Sequence, residues 1–253
     1  YGGMVVTILI AAIAVYLIIK TNILHKKKEK KEAKKEAAIV IEARETLVNA
    51  LDDDIKTFLN TLNKCFKNVY GGLTDEDRKK LKKALTETKE IEENSDAIIS
   101  KMMQGAQYLD EIELQEELGF GKAISSIQDT ATSIKEIAKI AFEHVDNNHS
   151  GLTKDQKEDF KQLKDLLSEQ FELASSKITK KDIAKLEDLH DKMKEIKKSI
   201  KKLDKNQITL IKKGTSKPRT NLLFLNILFK VENISDNVSE IIRFNRQLLK
   251  GKK

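Results

Sequence analysis

Residues 227–241 read ILFKVENISDNVSEI. Within them Ile227, Val231, Ile234, Val238 and Ile241 step by four, three, four and three. That spacing lays one apolar stripe along a helix and aims it at a partner helix. On a strand, where neighbouring side chains alternate between faces, the same residues would scatter over both sides. Beside the stripe, Glu232, Asp236 and Glu240 recur at i, i+4 and i+8. Like charges so placed cost a helix a few tenths of a kcal/mol per pair. Lysines from neighbouring helices are the expected compensation, with a bound cation as the alternative.

The same period runs through the chain upstream. Ile41, Leu47, Leu51, Ile55, Leu59, Leu62 and Phe66 recur every three to four residues and predict a first helix ending near Val69. Gly71-Gly72, Gly105, Gly119/Gly121, Gly151, and Gly214 with Pro218 then punctuate the sequence. The stretches between them predict helices from Asp75 to about Met103, Ala106 to Val145 (kinked near Gly119), Lys154 to Ser176, Lys181 to Ile211, and Thr220 to Leu249. One proline and ten glycines in 253 residues are too few for a fold built of strands and tight turns. The expected class is all-α: about six antiparallel helices with short joints, arranged as two three-helix units.

Two helix starts carry capping-box chemistry. Thr74 precedes Asp77 by three residues, and Thr153 precedes Gln156 by the same step, so each threonine can cap a helix while the later side chain bonds back. The two sites lie 79 positions apart, which fits either an internal repeat or two separate uses of one device.

The formal net charge of +7 invites a nucleic-acid reading. Its location answers that. Lys20, Lys26, Lys27, Lys28, Lys30, Lys31, Lys34 and Lys35 stand against three glutamates within residues 20–36, leaving only about +2 for the rest of the chain. No nucleic-acid partner is expected. Immediately upstream, residues 4–19 carry no charge. Counted to Leu24 the stretch spans about 31 Å as a helix, matching a hydrocarbon core of about 30 Å. A signal peptide would carry its basic residues before the apolar run, and here they follow it. The expectation is a transmembrane helix in residues 1–25, a basic juxtamembrane segment in 26–38, and a cytosolic bundle in 39–253. Lys26, Lys27, Lys28, Lys30, Lys31, Lys34 and Lys35 would meet anionic headgroups of the lipid bilayer. The chain opens Tyr1-Gly2-Gly3, and the expectation is that it is the C-terminal piece of a longer protein.

Enzyme signatures are missing. No GxxxxGK[ST] or GxGxxG occurs, the single cysteine (Cys65) sits mid-helix, and four histidines are scattered at 25, 144, 149 and 190. The chain is expected not to be an enzyme and to need no cofactor. The polar run from Glu143 to Gly151 resembles a calcium loop only in part: Asp146, Asn148, Ser150 and Gly151 fit, but Lys157 occupies the position of the closing glutamate. His144 and His149 lack further nearby zinc ligands. The expectation here is a helix C-terminus, a turn and an N-cap.

The helix from Val231 to Ile241 resembles the E-x-x-x-D helix of PhoU-like domains, with Glu232 and Asp236 on the motif. The resemblance implies two three-helix repeats and a divalent metal ion at these acids. The first repeat would place Asp129 opposite Glu232, 103 positions earlier, with Ser133 in place of the second acid. Over essentially its whole length, through Lys26-Lys27-Lys28 and Ala141 to Leu152, the chain is also similar to the C-terminal portion of inorganic phosphate transporters of the PiT family. That implies an inner-membrane protein moving phosphate with a coupling cation through a transmembrane core upstream of Tyr1. It implies residues after about 25 in the cytoplasm as a regulatory domain, and it admits a homodimer. The alternative is a membrane-anchored helical scaffold or signalling module with no link to transport.

Overall fold

The computed structural model describes residues 53–105, 111–176, 183–212, 214 and 217–250. The expected membrane span, the lysine run and the boundary at residue 39 lie outside them. Among the described residues no helix is long and apolar enough to cross a membrane. Every regular element described is an α-helix. We number them α1 (described over 53–74), α2 (Arg78–Gly105), α3 (Glu111–Asp146), α4 (Lys154–Ser175), α5 (Ile183–Lys212) and α6 (Pro218–Lys250).

Consecutive helices run antiparallel. On the α2–α3 seam Asp96 meets Gln128 and Glu92 meets Thr132, so one index falls as the other rises. Gln156 meets Gln207 and Glu169 meets Lys192 in the same sense on α4 and α5. This makes two three-helix units, α1–α2–α3 and α4–α5–α6. They join along two seams. α3 lies along α6, with Glu136 paired to Lys230 and Lys122 over the Phe244 ring. α1 lies along α4, where Phe160 stands edge-on to Phe66 and Tyr70.

The apolar stripes are the core. Ile227, Val231, Ile234, Val238 and Ile241 are all buried, facing an α3 stripe of Ile127, Ala131, Ile134, Ala138 and Ala141. Burial also decides the repeat. The 79-residue spacing equates the joint inside the first unit with the joint between units, so it relates no equivalent helices. The 103-residue spacing sets Gln128 against Val231 and Lys135 against Val238, half-buried polar positions against core ones. Asp129 is therefore out of register with Glu232.

Three local expectations change. Gly71-Gly72 does not end α1, which continues to residue 74. A Cβ at Gly72 would come 2.6 Å from Leu81 Cγ, so glycine here permits the close approach of α1 to α2. Thr74 is not an N-cap: its hydroxyl donates to Tyr70 O (2.9 Å) in the last turn of α1. Asp77 does the capping, its Oδ1 accepting from Lys79 N (2.9 Å) and Lys80 N (3.2 Å). The Thr153–Gln156 box is present as expected. α3 runs unbroken as helix through Gly119 and Gly121.

α1 stops through Glu76, whose φ of 56° is left-handed, with Asp77 N bonded back to Gly72 O (2.8 Å). That conformation costs an L-residue about 1–2 kcal/mol, while glycine adopts it freely. Glu76→Gly should therefore raise stability by about 1 kcal/mol, seen as a higher urea midpoint by circular dichroism. A lower midpoint would mean that the Glu76 side chain, lying over Gly151, contributes more than the strain costs.

Candidate functional site

The acidic stripe of α6 faces α5. Asp236 Oδ1 lies 2.8 Å from Lys197 Nζ on α5, and Glu240 Oε2 lies 2.7 Å from Arg243 Nη2 one turn further on. A lysine from the neighbouring helix thus supplies the compensation expected at Asp236. Glu232 is half-buried on the same face, whereas Asp129 stands exposed on α3. Behind the stripe, Gln170 Nε2 of α4 donates to Ser235 O and Ser239 Oγ, both at 2.9 Å. Among the described residues no three His, Cys, Asp or Glu side chains converge where an ion could sit. Two carboxylates, one already neutralised by an ammonium, are a poor donor set for a cation that takes six or more oxygens. These residues do not fit a resident divalent metal.

Cys65 is wholly buried, and burial together with the Glu87 carboxylate pushes its thiol up to about 12. It stays protonated near neutral pH, so it is a poor nucleophile.

The second polar cluster forms where α3 gives way to α4 and α6 begins. α3 ends on Asn148 at φ 52°, with Asn148 N bonded to Val145 O and His149 N to His144 O, both at 3.1 Å. These two bonds are a Schellman motif with asparagine in the left-handed position. The run from Glu143 to Gly151 is thus the helix end, turn and cap expected, not a calcium loop. The motif aims the chain so that Ser150 O accepts from Thr220 Oγ1 (2.9 Å) and from His144 Nε2 (2.9 Å). The first holds the α3–α4 turn against the first turn of α6, and the second ties that turn back onto α3.

Three basic side chains gather there. Arg219 Nη1 lies 2.8 Å from His149 Nε2. A guanidinium only donates, so this imidazole nitrogen accepts and the ring is neutral. Partial burial, then the charges of Arg219 and His144, hold His149 below its ordinary value. Lys217 Nζ donates to Ser150 Oγ. His149, Ser150, Lys217, Pro218, Arg219 and Thr220 line a concave space of about 480 Å³. Sequence reading found the polar run and the helix break at Gly214 and Pro218. It did not join them, because they lie some 70 positions apart and meet only through the α3–α6 seam.

No protein-family model and no curated protein sequence matches the chain. Solved structures do match in shape. The phosphate transport system regulatory protein PhoU from Streptococcus pneumoniae superposes with a TM-score of 0.69 at 15% identity, covering 82% of this chain and 97% of that one. PhoU from Pseudomonas aeruginosa gives a TM-score of 0.64 at 13% identity, covering 81% and 99%. The six-helix bundle described above has the PhoU fold.

Proposed function

We propose that this chain is the regulatory part of a phosphate transport system. The observation that carries the reading is the agreement in fold with PhoU proteins over nearly their entire length. The uncharged run 4–19 and the lysines after it support a bundle held at the inner face of a membrane. In the fuller form of the proposal, an inorganic phosphate transporter of the PiT family precedes Tyr1 on the same polypeptide, and the bundle is its cytosolic domain. Regulation then requires the bundle to dock differently on two transporter conformations, since only a difference in binding free energy shifts their balance.

The test is phosphate uptake by cells carrying the full-length polypeptide with and without residues 39–253. Deletion should change how uptake responds to external phosphate. Uptake and response both unchanged would refute regulation. An open reading frame beginning just before Tyr1 would remove the transporter while leaving a tethered PhoU-like bundle.

A further inference from the structure

We propose that the corner formed by His149, Ser150, Lys217, Arg219 and Thr220 is a binding site for a tetrahedral oxyanion, such as phosphate or the phosphoryl group of a small metabolite. Three observations carry it. The space of about 480 Å³ exceeds what inorganic phosphate alone fills. Two basic side chains, Lys217 and Arg219, line it, and among the described residues no carboxylate pairs with either; Lys217 donates to a serine hydroxyl and Arg219 to a neutral imidazole. The hydroxyl of Thr220 and the ring of His149 add groups that can donate to oxyanion oxygens once Ser150 or Arg219 is released.

Among the described residues none of the acids around the corner pairs with Lys217 or Arg219. Asp146 pairs with Arg78 at 3.3 Å, Glu76 lies over Gly151, and Glu143 lines the adjoining groove with Arg219, His144 and Asn147. The first turn of α6 also turns its positive end this way. An arriving anion would draw Arg219 from His149 and favour the imidazolium beside it, so binding and protonation of His149 reinforce each other. The titratable and charged groups around that ring are Arg219 from α6, Lys217 just before it, and His144 and Glu143 from α3. The site needs only these side chains and holds whether or not the chain serves transport.

The experiment is calorimetric titration of the full 253-residue chain with inorganic phosphate and, separately, a nucleoside monophosphate, each against sodium chloride at matched ionic strength. Saturable one-site binding is expected. Tighter binding of the nucleotide would assign the space beyond the phosphoryl group to a metabolite, and equal binding would assign the site to free phosphate. Lys217→Gln/Arg219→Gln should weaken the binding about tenfold or more, while Lys201→Gln/Lys205→Gln on exposed α5 leaves it unchanged. The ring proton signals of His149, assigned through His149→Gln, should titrate at higher pH when phosphate is present. That readout needs no folded double variant. No saturable binding, binding indifferent to the Lys217/Arg219 change, or a His149 titration unmoved by phosphate would each overturn the proposal.

Discussion

Phe160→Ala should destabilise the bundle by about 3–5 kcal/mol, the usual cost of truncating a fully buried phenylalanine. Phe160 is wholly buried on α4. It meets Phe66 at a centroid distance of 6.0 Å and an angle of 82°, and Tyr70 at 5.2 Å and 66°. Each edge-to-face pair adds about 0.5–1.5 kcal/mol beyond the area it buries. These pairs join the first three-helix unit to the second, so the loss falls on the contact between units. Domains of this size have about 5–15 kcal/mol in all, and the variant should lose about a fifth or more of it. Urea unfolding followed by far-ultraviolet circular dichroism measures this, with Phe160→Leu as the milder control. A loss below about 1 kcal/mol would show that α1 and α4 contribute little to holding the units together. A transition that splits in two would show the units melting separately once the contact is gone.

How far the fold could be read in advance depended on whether each signal was local. The α6 stripe was legible because five apolar residues at heptad steps have few other uses, and all five are buried. The Thr153 cap was legible because both halves of the box lie within four residues and nothing nearby competes. At Thr74 something did compete. Asp77 is itself a strong capping residue, and α1 continues two residues beyond the glycine pair because Gly72 packs on Leu81 across the turn. The actual stop is Glu76 in a left-handed conformation, a residue with no preference for that role, so no reading of propensity would find it.

The site was legible only by parts. The acids of α6 stood out as a stripe, but the lysine that answers Asp236 is Lys197 on α5, and choosing it needs the register between two helices. The pairing of Asp129 with Glu232 failed for a related reason. The buried α3 stripe falls on the buried α6 stripe at an offset of 100 residues, Ile127 on Ile227 and Ile134 on Ile234, and an offset of 103 sets half-buried polar positions of α3 on core positions of α6. The corner at Lys217 and Arg219 was further out of reach, since it exists only after α3 and α6 have packed.

Gln156→Ala should cost about 3 kcal/mol, a large loss for a residue that is neither apolar nor charged. Gln156 is wholly buried and uses its whole amide. Its Oε1 accepts from Thr153 N at 3.0 Å, and its Nε2 donates to Gln207 Oε1 at 2.9 Å and to Asn221 Oδ1 at 3.2 Å. One side chain thus closes the cap of α4 and ties α4 to α5 and α6. Gln207 is fully buried and Asn221 is 2% exposed, so water cannot readily replace the lost donor. Each buried acceptor left short costs about 1–3 kcal/mol, and the lost bond from Gln156 Oε1 to Thr153 N opens half of the capping box as well. The asymmetry of buried hydrogen bonds supplies the check. Replacing both partners, in Gln156→Leu/Gln207→Leu, removes the stranded groups along with the bond, so the double variant should lose at least 1 kcal/mol less than the two single leucine variants summed. Additive losses would mean that the amides do not act as one network. Thr220 immediately precedes Asn221, and Ser150 lies three residues before Thr153, so this network also holds the two segments that shape the basic corner. Gln156→Ala should therefore loosen the Thr220–Ser150 contact as well, speeding amide exchange in the first turn of α6 relative to the unsubstituted protein while the middle of α3 is unchanged.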